Sequence, residues 1–211
     1  VANAFKAEQV FAHRGMWSES TGPNTLNAFR NAHEGNFSIE TDIRSSKQEI
    51  YISHDASDSE ELLSLQSLYD FKCRFALNIK QDGLGSLLEF SRDWIEQTNS
   101  FLFDGSVPEM IKIKSFGFRH ALRLSEYEKS LPWDPDLIWL DSFNSDWWLN
   151  NLEIEKLIRD TQVSVIVVSP ELHGREARDV WEFMASLSQN EHESVSICTD
   201  SPLEFIKYVN S

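Results

Sequence analysis

Short runs rich in apolar and β-branched residues recur along the chain, and stretches with helical spacing separate most of them. The runs are Val10–His13, Phe37–Ile43, Arg74–Lys80, Ser100–Ser106, His120–Ser125, Leu137–Asp141, Val163–Val168 and Ser194–Thr199. A ninth run, Ile50–His54, follows the second too closely for a crossover helix and reads as a hairpin arm closed through Ser45–Gln48. The first helical candidate is capped by Asn24 or Thr25 and ends at Gly35. The others are Ser59–Tyr69, Ser86–Gln97, Pro108–Phe116, Trp148–Arg159, Glu176–Leu187 and Pro202–Val209. Strands alternating with helices predict an α/β chain, and the eight principal runs match the number that closes a (β/α)8 barrel. No Gly-rich phosphate turn follows the first run, as an open doubly wound dinucleotide sheet would require. The expected architecture is a single domain over 1–211, a (β/α)8 TIM barrel with a small β-hairpin arm after the second strand.

Polar residues gather at the C-terminal ends of these runs: His13 and Arg14, Glu40 and Asp42, Asn78 and Lys80, Asp104 and Ser106, Arg123 and Ser125, Asp141, Ser169 and Glu171, then Asp200. Side chains alternate faces along a strand, so Glu40 and Asp42 share one face while Ile39, Thr41 and Ile43 share the other. The apolar set is expected against the helices, and the polar set at the barrel mouth where such barrels keep their chemistry.

Composition narrows the function. The chain has 211 residues, 41% hydrophobic, enough for one domain that buries roughly 70% of its unfolded surface. Lys and Arg number 19 against 34 Asp and Glu, a formal net charge of −15. That field repels polyanions, so nucleic acid is not an expected partner. No apolar run approaches the roughly 20 residues of a membrane span, and no charged-then-apolar leader opens the chain. A cytoplasmic protein without stable membrane insertion is expected. Cys73 and Cys198 lack metal-ligand spacing and read as buried free thiols.

The ordered elements Phe-Ala-His13-Arg14-Gly15, Pro23-Asn24-Thr25 with Ala28-Phe29, Ile39-Glu40-Thr41-Asp42-Ile43 and Ser53-His54-Asp55 resemble the glycerophosphodiester phosphodiesterase family, within the phospholipase-C-like phosphodiesterases. Asn78-Ile79-Lys80 resembles the family's third-strand Glu-x-Lys, and Thr199-Asp200-Ser201-Pro202 its closing Thr-Asp-x-Pro. The resemblance implies a TIM barrel, a hydrolase of small phosphodiesters in lipid metabolism, and catalytic histidines at His13 and His54. It also implies phosphate contacts from Arg14 and Lys80, and a divalent metal, Mg2+ or Ca2+, at Glu40, Asp42 and Asn78. The residue types suit that chemistry. A hard cation offsets phosphodiester charge, Arg forks onto phosphate oxygens, and paired histidines trade protons near neutral pH.

Two departures stand out. Asn78 occupies the place of an acidic ligand, which lowers the charge of the metal site, and Glu171 is a candidate to help. The stretch from Asp55 to Arg74 is short where many relatives carry a substrate-covering insertion, and Pro23 replaces a frequent Glu. Trp17 is a candidate substrate contact, and Trp147-Trp148 either stack on substrate or pack back on the barrel. The segment Ser169–Arg175 reads as a connecting loop that could also close over a ligand through His173 or Arg175. Beside hydrolysis, a cyclic-phosphate-forming lyase of the sphingomyelinase D type and a catalytically weak barrel binding phosphosugars or polysaccharide precursors share the same residues. A carboxylate-pair glycosidase would need neither the cations nor the histidines.

Overall fold

Alternation along the strands sorts the apolar residues into two separate cores. In the computed structural model, which describes residues 5–46, 48–57, 62–149, 151–160, 162 and 164–211, nine strands form one sheet among the described residues. They are β1 (Val10–His13), β2 (Ser38–Ser46), β3 (Glu49–Ile52), β4 (Phe75–Ile79), β5 (Phe101–Phe103), β6 (Ala121–Leu124), β7 (Leu137–Leu140), β8 (Val165–Val168) and β9 (Val195–Thr199). The order is β5-β4-β2-β1-β9-β8-β7-β6, every pair along it parallel. The ring is completed between β5 and β6 by a parallel bridge, Leu102 to His120, with Leu102 N–H donating to the Arg119 carbonyl at 3.1 Å. This is the expected (β/α)8 barrel. The expected hairpin arm is β3, antiparallel to β2 with Ile43 opposite Ile52.

The larger core lies between the barrel and its helices. It takes Ile39 and Ile43 of β2, Leu77 and Ile79 of β4, and Val165 and Val167 of β8. The second fills the barrel itself with Phe11, Ala76, Phe101, Phe103, Ala121, Leu137, Trp139, Ile166, Val168 and Cys198. Large and small residues interlock there. Ala76 lies beside Phe101 in register, and Cys198 beside Phe11. The Arg74 guanidinium lies 5.4 and 5.0 Å from the Phe11 and Phe101 ring centres and packs on their faces.

The helices are α1 (Leu26–Glu34), α2 (Gly85–Leu88), α3 (Arg92–Gln97), α4 (Val107–Ser115), α5 (Leu152–Arg159), α6 (Arg178–Ser186), α7 (Gln189–His192) and α8 (Pro202–Val209). Thr25, not Asn24, caps α1: its Oγ1 accepts from the Ala28 N–H at 3.2 Å. Ser106 caps α4, whose first turn holds Pro108 and Glu109. The helix expected over Ser86–Gln97 is interrupted by a 3-10 turn at Glu89–Ser91. The turn leaves Phe90 exposed and buries Ser91, to which the Tyr69 hydroxyl bonds at 2.8 Å. Beyond the interruption, Trp94 stacks on Tyr69 with ring centres 5.6 Å apart, so side-chain packing overrides helical continuity. Of the stretch expected helical over Ser59–Tyr69, residues 59–61 lie outside the described residues, and the rest holds only a 3-10 turn, Leu65–Leu68. Val163 and Asn150, inside an expected strand and an expected helix, also lie outside them. Among the described residues no helix is long and apolar enough to cross a membrane.

Candidate active site

The C-terminal ends of the strands surround a cavity of about 270 Å3. One wall carries His13, Arg14, Glu40, His54, Asn78 and Lys80, all from β1, β2, β4 and the segments that follow these strands and the β3 arm. The expected histidines, phosphate cations and two of the three expected metal ligands therefore meet in one place. Phe103, Trp139 and Val168 belong both to the cavity lining and to the inner core.

Backbone geometry at the end of β1 aims the wall. Arg14 and Gly15 both have positive φ, 56° and 84°. A Cβ on Gly15 would stand 2.8 Å from the Ala28 carbonyl carbon, so the close approach of β1 to α1 needs glycine. The turn sets the Arg14 N–H on Glu40 Oε2 at 3.2 Å. His13 Nδ1 bonds Asp200 Oδ1 at 2.8 Å, leaving Nε2 at 3.9 Å from Glu40 Oε2. Burial opposes the charged form of His13, but the Asp200 hydrogen bond and the charges of Glu40 and Asp200 outweigh it and raise the pKa above the ordinary value. His54 Nδ1 bonds Asp55 Oδ1 at 2.9 Å, and the side chain is about half exposed.

Asp42 lies beneath this wall rather than on it, 1% exposed. Arg14 Nε stands 3.0 Å from its Oδ2 and Lys80 Nζ 3.3 Å from its Oδ1. Asn24 Nδ2 donates to Oδ2 at 2.8 Å, and Asn24 Oδ1 accepts from Thr41 Oγ1 at 2.8 Å. Asn24, at φ 57°, is thus a clamp on Asp42, a role that helix-capping preference hides. Asp42 and Asn78 are direct partners in the β2–β4 register. Asn78 Nδ2 donates to Glu40 Oε1 at 3.3 Å, while its buried Oδ1 has no hydrogen-bond partner. Burial, then the neighbouring Asp42 charge, pushes the Glu40 carboxyl up to about 7.

The donors for a metal are two buried carboxylates and this orphaned amide oxygen. Among the described residues no group of three His, Cys, Asp or Glu is arranged to hold a metal ion. An all-oxygen set of this kind still fits a hard cation that keeps water ligands, provided it competes with Arg14 and Lys80 for Asp42. Glu171 is not free to help. Its Oε1 accepts from Thr199 Oγ1 and the Asp200 N–H, and its Oε2 from Ser169 Oγ. It steadies the segment that carries Asp200, and through it His13.

Trp17 is absent from the cavity wall: its Nε1 donates to the His13 carbonyl at 3.2 Å, and the side chain turns outward, 43% exposed. Trp148 is fully buried and packs edge-on to Phe183, and Trp147 Nε1 donates to the Asp141 carbonyl at 2.9 Å. The loop tryptophans pack back on the barrel. Asp104, at the end of β5 beside β4, and, farther round the ring, Arg123, Asp141, Phe143, Leu172 and His173 complete the lining, and Arg123 pairs with Asp104 across the β5–β6 seam. The only sequence signal for these residues was their place after strands; their convergence is a product of barrel closure.

No protein-family model matches the chain, and no curated protein matches it. The chain is similar in structure to a glycerophosphodiester phosphodiesterase from Agrobacterium tumefaciens, with a TM-score of 0.68 and 15% identity over 94% of this chain and 97% of that one. A glycerophosphoryl diester phosphodiesterase from Parabacteroides distasonis matches at a TM-score of 0.49 and 13% identity, over 95% of this chain and 85% of the other. At such identity the first likeness establishes the shared barrel.

Proposed function

We propose that this chain is a phosphodiesterase of the glycerophosphodiester phosphodiesterase family, acting on a small alcohol phosphodiester. The observation that carries this reading is that His13 and His54 line one cavity with Arg14 and Lys80. The barrel shared with the Agrobacterium phosphodiesterase supports it.

The chemistry follows from the contacts. Arg14 and Lys80 both contact the buried Asp42 carboxylate and both line the cavity, where they can also face a phosphodiester anion. Arg14 supplies a planar fork and Lys80 a compact charge, both suited to phosphate oxygens. Asp200 and Asp55 each hold an imidazole Nδ1, leaving both Nε2 atoms to exchange protons with substrate. One histidine accepts the proton of the attacking water or substrate hydroxyl, and the other gives a proton to the leaving alkoxide. Glu40, Asp42 and Asn78 would hold Mg2+ or Ca2+. Such a cation supplies Lewis-acid stabilisation of charge on the phosphoryl oxygens.

Phosphorus NMR of a panel of glycerophosphodiesters, incubated with Mg2+, Ca2+ or Mn2+, tests the proposal. The expected product is a phosphomonoester, with a cyclic phosphate appearing first if a substrate hydroxyl attacks. Intact diesters across the whole panel would overturn it.

A further inference from the structure

His120, at the start of β6, is a buried titratable group that the catalytic cavity does not use. It is 4% exposed, and its backbone bridges to Leu102 across the β5–β6 seam. Asp136, the residue before β7, accepts the His120 backbone N–H through Oδ2 at 2.9 Å, and the same oxygen stands 2.9 Å from the ring Nδ1. The Phe118 carbonyl lies 3.3 Å from Nδ1. At the other nitrogen, Trp133 Nε1 stands 2.9 Å from Nε2. An indole N–H can only donate, so Nε2 accepts and carries no proton. The ring is therefore neutral, with its proton on Nδ1.

Trp133 belongs to the loop between β6 and β7. The start of that loop is tied down: Ser125 Oγ accepts from the N–H groups of Tyr127 and Glu128, and the Glu126 carboxylate from those of Phe143 and Asn144. Farther along, the tethers thin out. Among the described residues, positions 129–135 make a single hydrogen bond, from Trp133 to His120. Leu131 and Trp133 add partly buried apolar contacts, while Pro132 and Pro135 have no N–H to give. Lys129, Ser130, Pro132 and Trp133 line a cavity of about 500 Å3 with Val107 and Met110 of α4. Asp104 and Arg123 line both this cavity and the catalytic one.

We propose that the β6–β7 loop is a strap released by acid: a solvent proton added to His120 Nε2 displaces Trp133 and lets residues 129–135 open this cavity. With both ring nitrogens protonated, two N–H groups would meet head-on at the present separation, and one partner must leave. Asp136 decides which. Its carboxylate attracts the imidazolium and holds it in place, whereas the indole N–H repels it. Lys114 of α4 and Arg119 oppose the added charge. Lys114 Nζ lies 5.4 Å from the Trp133 ring centre, and the Arg119 guanidinium bonds Asn99 Oδ1. Imidazole is the side chain that changes charge between about pH 5 and 8, so the release falls within that range.

Proton–nitrogen NMR of the indole groups tests the switch, with Trp133 identified by the signal missing from Trp133→Phe. Between pH 8 and 5 the wild-type Trp133 signal is expected to lose its hydrogen-bonded shift. Amide protection at residues 129–131, corrected for the intrinsic exchange rate, should fall about tenfold, the scale of one lost hydrogen bond. His120→Gln offers the indole an oxygen that does not titrate, and should keep both readouts flat over the range. Trp133→Phe should show the low protection already at pH 8, whether or not the Gln variant folds. A Trp133 signal unchanged down to pH 5, the same change in His120→Gln, or full loop protection in Trp133→Phe would overturn the proposal. So would a simultaneous change in every tryptophan signal, which marks unfolding of the whole protein.

Discussion

His13 sits between two carboxylates, Asp200 on Nδ1 and Glu40 beyond Nε2, and His54 leans on Asp55. Each ring is oriented, and the free nitrogens are the ones that can reach a substrate. Replacing either histidine by Ala is expected to lower phosphodiester turnover by about 10²–10⁴-fold, measured by phosphorus NMR with the fold checked by circular dichroism. Unchanged rates in both variants would contradict the acid–base assignment. Asn78 is the second decisive residue. Its orphaned Oδ1 and its register beside Asp42 support the reading that it stands where an acidic metal ligand would stand. Asn78→Asp adds a negative charge with nearly the same shape, and should tighten Mg2+ or Ca2+ by about tenfold, roughly 1.4 kcal/mol. Metal titration of both forms by calorimetry measures it, and equal affinities would remove Asn78 from the ligand set.

The elements show which parts of the chain obey local rules. α1 and α4 begin at Thr25 and Ser106, residues whose side chains accept a backbone N–H of the first turn. The short α7 depends on its cap still more. Glu191 Oε2 accepts from the Ser188 N–H, and its Oε1 takes Arg159 at 3.0 Å. The Ser188 hydrogen bond, helped by Arg159, holds the Glu191 carboxyl down at about 2. A depressed acid pKa stabilises the fold above its unfolded value, near 4.3, and that contribution is lost as pH falls towards 2. Glu191→Gln is expected to destabilise the protein by about 1 kcal/mol at pH 7, with the difference from the parent vanishing near pH 2. Thermal melts of the two proteins across that range check the sign.

Across the whole molecule, closure of the barrel decides burial. Cys198 is buried inside the barrel core as expected, whereas Cys73, expected buried, is half-buried on the segment leading into β4 and packs against the outer core. Burial pushes the Cys73 thiol up to about 12 and the Cys198 thiol well above its ordinary range, in the latter case with help from the carboxylates at the mouth. Thiolates are the reactive species, so both cysteines should resist a disulfide reagent at pH 8 in the native protein and react fully in denaturant. Rapid native labelling of either one would contradict this packing. The barrel also gathers the site from round the ring. β1, β2 and β4 bring the histidine wall, and the ends of β5, β6 and β7 and the loop after β8 complete the lining.

The alternation of Ile39, Thr41 and Ile43 with Glu40 and Asp42 was enough to tell the helix-facing side of β2 from the mouth, because a strand has a fixed period of two. The residues of the histidine wall were legible for a related reason: they come in short ordered motifs whose spacing survives in one dimension. Local sequence could not show that Asn24 turns from helix cap to clamp on Asp42. Nor could it show that Glu171 is consumed by Thr199 and Asp200, or that Trp17 bonds the His13 carbonyl and stays off the wall. Each of those outcomes depends on a partner's position in three dimensions, and a hydrogen bond forms only where geometry delivers that partner. The same holds for the pairing of Asp141 with His173. The two lie on neighbouring strand ends, 32 positions apart in the chain, and only the closed ring of strands brings them within 2.8 Å.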